Sequence, residues 1–136
     1  MTRKEFRALT DQRIIYLDGA TGSNLVKSGM PSGVCPEKWI LEHGDIFMDL
    51  QKAYVAAGSD ILYAPTFGAN RIKLTEYGLY GQMREMIHGL VGLSKQVAAT
   101  ETGRKIYVAG DLTMTGEQLE PIGMLSLEDL INIYKE

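Results

Sequence analysis

The chain has 136 residues, 14 Lys and Arg against 17 Asp and Glu, with 45% hydrophobic and 23% charged side chains. That is an ordinary globular composition, which excludes disorder, collagen and coiled coil, and a net charge of −3 disfavours nucleic-acid binding. No apolar run approaches the roughly 18 residues of a membrane span, and the charged stretch from Met1 to Asp11 does not read as a signal peptide, so a cytoplasmic chain is expected.

The first apolar run, Ile14-Ile15-Tyr16-Leu17, is short and continuous rather than alternating, as are Ile61-Leu62-Tyr63-Ala64 and Ile106-Tyr107-Val108-Ala109. This pattern predicts three parallel strands buried on both faces. After the first run, the glycine-flanked segment 18–24 opens a short helix. From Ile46, the positions Leu50, Ala53, Tyr54 and Ala57 step by three and four and predict a helix closed by Gly58. Asn70 reads as the N-cap of a helix after the second strand. Met83, Met86, Ile87, Leu90, Leu93 and Val97 predict another helix, which Gly89 and Gly92 weaken by about 1 kcal/mol each. Ser126 to Asp129 forms a weak capping box that opens a last helix, with Leu127, Leu130, Ile131 and Tyr134 on one face. The order βαβαβα implies a parallel α/β architecture, whose active sites lie at the C-terminal strand ends.

Those ends carry the polar groups. Asp18, at the tip of the first strand, is followed by Gly19, Ala20, Thr21 and Gly22. The spacing is neither a Rossmann fingerprint nor a P-loop. A carboxylate beside free amides can receive a zwitterion such as an amino acid. The plainer alternative is that Asp18 caps the following helix while the glycines make the turn. Thr66 and Phe67 follow the second strand, and Asp111 follows the third, on the same sheet face as Asp18. His43 and His88 have no spaced metal-ligand partner, and the single cysteine, Cys35, reads as a structural thiol.

Four blocks taken together resemble a known family: LDGATGSN (17–24), CPEKWILEHGDIFMDLQKAY (35–54), AAGSDILYAPTFGANRIKLTEYGL (56–79) and AGDLTMTGEQLEPIG (109–123). They resemble the homocysteine-binding domain of cobalamin-dependent methionine synthases, within the homocysteine S-methyltransferase family. The resemblance implies a (β/α)8 barrel of about 250 residues. Residues 1–136 would be its N-terminal part, with three β/α units and an end inside the third helix.

The resemblance further implies methyl transfer to the sulfur of homocysteine, giving methionine. Zinc held by three cysteines would keep that sulfur as thiolate, and a corrinoid protein or domain would carry the methyl group. Cys35 matches none of those ligands, so this chain is expected to hold neither zinc nor cobalamin and to be inactive alone. Carried over by the motif, Asp18 would meet the substrate ammonium, and the amides of Gly19, Ala20 and Thr21 the carboxylate. Thr66, Phe67 and Asp111 would line the same mouth. Tyr63-Ala64-Pro65-Thr66-Phe67 stands where relatives carry Glu-Thr-Asn-Thr-Phe, which keeps open a related corrinoid methyltransferase with another acceptor. The reading from a different class is a non-catalytic half-barrel that serves binding or assembly. Three strands cannot close a barrel, so open sheet edges imply self-association.

Overall fold

The computed structural model describes residues 1–136. Seven α-helices accompany two short strands. The helices are α1 (Arg3–Thr10), α2 (Gly22–Lys27), α3 (Pro36–Glu42), α4 (Gly44–Ala57), α5 (Arg71–Glu76), α6 (Met83–Thr100) and α7 (Leu127–Ile133). The strands are β1 (Ile61–Tyr63) and β2 (Tyr107–Ala109), paired in parallel with Ile61 opposite Tyr107 and Tyr63 opposite Ala109. The mixed α/β character and the parallel pairing of the second and third apolar runs follow the sequence pattern.

The first run departs from it. Residues 14–17 do not form a strand; Leu17 alone makes a parallel bridge to Ile61. Ile14 is 72% and Leu17 49% exposed, so this run is not buried on both faces. It lies at the sheet edge, where one side of its backbone has no neighbour and one face has no covering layer. Tyr63 is likewise exposed, and β2 is only partly buried throughout. The sheet thus has two strands and one bridge in place of three complete β/α units.

The core lies on the helical side of the sheet. Leu62 and Ile106 pack with Val55 of α4 and Val97 of α6. A second cluster joins Leu25 of α2, Trp39 and Ile40 of α3, Phe47 of α4 and Leu90 of α6. The long helices form where the periodicity places them, and Gly58 adopts the left-handed conformation (φ 110°) that ends α4. The buried stripe of α4 is nonetheless Phe47, Gln51 and Val55; Ala53 and Ala57 are exposed. Large side chains take the sheet-facing positions, and the alanines of the pattern are left to solvent. In α7, Ser126 caps as expected, accepting from the Asp129 amide, but Ile133 is the buried residue and Leu127 is 64% exposed. Thr2 and Glu5 form a full capping box on α1, a helix absent from the sequence reading.

Candidate functional site

Backbone pairing on the outer side of β1 explains where Asp18 sits. Ile61 donates to the Tyr16 carbonyl at 3.2 Å and accepts from the Asp18 amide at 3.0 Å. Tyr63 should be next to pair, but the chain turns away through Gly19. Two side chains then continue the ladder. The Asp18 carboxylate (Oδ2) accepts from the Tyr63 amide at 3.1 Å, and Gln51 of α4 donates its Nε2–H to the Tyr63 carbonyl at 2.9 Å. Asp18 therefore does not cap α2. Thr21 is the N-cap, and no side chain caps it.

Burial pushes the Asp18 carboxyl above its ordinary range. The Tyr63 amide and the Gln51 side chain oppose that rise, while the negative charge of Asp111 adds to it. None of the chain's ion pairs involves Asp18 or Asp111.

The loop after Asp18 is fixed from below. The Tyr54 hydroxyl donates to the Ala20 carbonyl at 2.9 Å, and Asn24 Nδ2 donates to the same oxygen at 2.6 Å. A Cβ on Gly19 would stand 3.0 Å from the Tyr54 ring and hydroxyl, so any larger residue there would have to push the Tyr54 side chain back by a few tenths of an ångström. The amides of Gly19, Ala20 and Thr21 donate to no protein acceptor.

Thr66 and Asp111 are locked together through backbone. The Thr66 hydroxyl donates to the Asp111 carbonyl at 2.9 Å and accepts from the Asp111 amide at 3.1 Å. The buried Thr66 hydroxyl is consumed by this clamp, so Thr66 positions Asp111 rather than offering a free group to a ligand. Asp18 and Asp111 thus emerge at the same end of the two parallel segments that flank β1. Phe67 faces a separate cavity of about 260 Å³, shared with Cys35, Glu37, Lys73, Tyr77 and Met114. Asn70 caps α5 by accepting from the Lys73 amide at 3.1 Å.

Glu37 and Gln51 are the residues that sequence reasoning missed. Glu37 is buried; it accepts from the Gly68 amide at 2.8 Å and from the Cys35 thiol at 3.4 Å. The signal was a proline followed by a glutamate at a helix start, which ordinarily places the acid in solvent. Gln51 had a weaker signal still, as a polar residue interrupting an apolar helical stripe.

The residues of this chain do not fit a zinc site, since no group of three His, Cys, Asp or Glu side chains converges. Burial, reinforced by the Glu37 charge, pushes the Cys35 thiol up, away from the thiolate a metal needs. The His43 ring stacks on Trp39 with centroids 4.1 Å apart, and its Nδ1 lies 2.9 Å from the Trp39 carbonyl. His88 lies exposed on α6.

Among the solved structures that share this fold are two of one enzyme. They are the metallated and oxidised forms of the homocysteine methyltransferase MmuM from Escherichia coli. The metallated form aligns at 23% identity with a TM-score of 0.70, covering 82% of this chain and 42% of that one. The oxidised form aligns at 24% with a TM-score of 0.66, covering 79% and 40%. The chain therefore spans about two fifths of the length of these structures. The homocysteine S-methyltransferase family model matches residues 15–136, which takes in every element from the Leu17 bridge to α7. On that match, the chain belongs to the homocysteine S-methyltransferase family.

Proposed function

We propose that residues 1–136 form the amino-acid-receiving part of a (β/α)8 barrel that transfers a methyl group to the sulfur of homocysteine, giving methionine. The observation that carries this reading is a pair of carboxylates, Asp18 and Asp111, without ion-pair partners at one end of the parallel segments. Such a pair attracts an ammonium group. The free amides of Gly19, Ala20 and Thr21 beside Asp18 suit the substrate carboxylate.

In this reading, the zinc that would hold the homocysteine sulfur takes its ligands from outside these residues, and a corrinoid protein or domain brings the methyl group. Residues 1–136 alone are then inactive. A cytoplasmic location is part of this reading; no helix is long and apolar enough to cross a membrane. The buried, apolar Ala64 and Pro65 supply no side-chain donor to the mouth, and this favours one second reading: a corrinoid-linked methyltransferase with a different acceptor.

Asp18→Asn separates the substrate role from a structural one. Asn keeps an oxygen to accept from the Tyr63 amide but loses the charge. A charge-assisted hydrogen bond is worth about 1.5–3 kcal/mol, so homocysteine binding should weaken about 10- to 150-fold in a barrel containing this chain. Folding should not suffer. A carboxyl raised above its unfolded value binds more protons when folded, so its contribution to stability declines as pH rises through the folded value. Neutral Asn avoids that loss, and the variant should be at least as stable at pH 7. Calorimetric titration with homocysteine, beside urea melts, reads both quantities. Unchanged affinity would remove Asp18 from the substrate site.

A further inference from the structure

The Gln51 side chain is almost wholly buried on the α4 stripe between Phe47 and Val55, and its Oε1 has no hydrogen-bond partner. An orphaned buried acceptor disfavours folding by about 1–3 kcal/mol relative to an apolar side chain of the same shape. Packing therefore does not account for glutamine here, whereas its nitrogen has a defined task. It supplies the donor to Tyr63 that the first strand stops supplying at Asp18, and because the amide and carbonyl of one strand residue point to the same side, the Gln51 amide and the Asp18 carboxylate sit side by side on Tyr63.

We propose that Gln51 is a positioning residue for Asp18, holding that carboxylate against the end of β1 and turned toward the ligand side. The proposal rests on the reading of Asp18 as the ammonium receptor and deepens it. Tyr63 is gripped at both backbone atoms, with its amide on Asp18 and its carbonyl on Gln51. Losing Gln51 frees one of those two anchors and removes the amide dipole beside the carboxylate. The groups that bear on the Asp18 charge are then the Tyr63 amide from β1, Asp111 from the loop after β2, and Gln51 from α4. Of these, Gln51 is the group whose exchange for a near-isostere leaves both the β1 backbone and the Asp111 charge in place.

The test needs no ligand at first. Carboxyl-selective NMR titration of the full chain reads the Asp18 midpoint in wild type, Gln51→Met and Gln51→Glu. Met keeps the volume, removes the donor and removes the orphaned acceptor. The midpoint should rise in Gln51→Met and rise further in Gln51→Glu, where a second carboxylate faces Asp18. Homocysteine affinity in a barrel carrying Gln51→Met should fall about 2- to 10-fold just above the wild-type midpoint. The loss should shrink at higher pH, where Asp18 is ionised in both proteins. A packing role would leave the midpoint where it is, and an unchanged Asp18 midpoint in either folded variant overturns the proposal. The underlying reading fails separately, if homocysteine leaves the Asp18 carboxyl resonance of the wild-type barrel unmoved.

Discussion

Two aspartates, Asp60 buried and Asp18 half-buried, sit at opposite ends of β1 with opposite electrostatics. Asp60, just before the strand, takes a bidentate pair from Arg13 at 2.8 Å on both oxygens, a 3.1 Å contact from Arg104 and the Tyr16 amide at 3.0 Å. The Arg13 pair holds its carboxyl down at about 2. It staples three separate segments where the sheet begins. Asp18, at the other end, has no cation and is pushed up instead. One acid is fully spent on structure, while the other keeps its charge uncompensated. The Asp60 staple should show in the pH dependence of folding. Its folded carboxyl lies below the ordinary 3.8, so its contribution is complete above that value and is lost as pH falls toward about 2. The contribution is at most about 2 kcal/mol, because both guanidinium groups are partly in solvent. Urea melts between pH 7 and pH 2 should be flatter below pH 4 in Asp60→Asn than in wild type. Parallel curves would show that the staple contributes nothing.

At the scale of elements, turns fail or hold by how closely backbone meets a neighbouring side chain. The Phe67-Gly68 turn after β1 rests on Glu37 at the start of α3, and a Cβ on Gly68 would stand 2.6 Å from the Glu37 carboxylate. That carboxylate is buried and accepts from the Gly68 amide itself, so it cannot retreat without breaking the bond. Gly68→Ala should destabilise by about 1–3 kcal/mol in a denaturant melt; a shift within error would mean that Glu37 yields freely. This contact also marks what the sequence could show. The positions of α4, α6 and α7, the Asn70 and Ser126 caps and the Gly58 stop were legible, because each depends on residues within one or two turns. Gly89 read as a weak point of α6. In fact a Cβ there would meet Leu41 at 2.8 Å, so the glycine lets α3 cross α6. The Glu37–Gly68 and Gln51–Tyr63 bonds join residues distant in sequence, and no local pattern names the partner of either side chain. The first run was misjudged for the same reason, since burial of an edge segment depends on neighbours its own residues do not encode. Asp18 and Asp111 were found because strand direction alone places them at one end, whereas the Thr66 clamp requires knowing where the Asp111 backbone lies.

Across the whole molecule, one side of the sheet is packed and the other is open. Leu62 and Ile106 face α4 and α6, whereas Leu17, Ile61, Tyr63, Tyr107 and Ala109 border an apolar cavity of about 450 Å³. Met1 and Phe6 of the N-terminal segment reach this cavity but remain exposed themselves. The outer backbone edge at residues 14–17 is also unpaired apart from its inner partners, and an unpaired edge beside an apolar face is a template for pairing with another chain. The isolated chain should therefore self-associate as its concentration rises, by joining open faces or edges. Sedimentation velocity from low to high micromolar concentration reads this directly. Leu17→Lys tests the surface involved. Leu17 is half exposed, bridges to Ile61 through backbone alone and lies at the rim of the open face, so lysine should leave the fold intact while placing a charge where the second chain would dock. The variant should shift the sedimentation profile toward monomer at concentrations where wild type associates. A wild-type chain that stays monomeric throughout would mean that the open face is tolerated in water. Association undiminished by Leu17→Lys would move the contact to other exposed apolar side chains, such as Leu112, Met114, Ile122 and Met124.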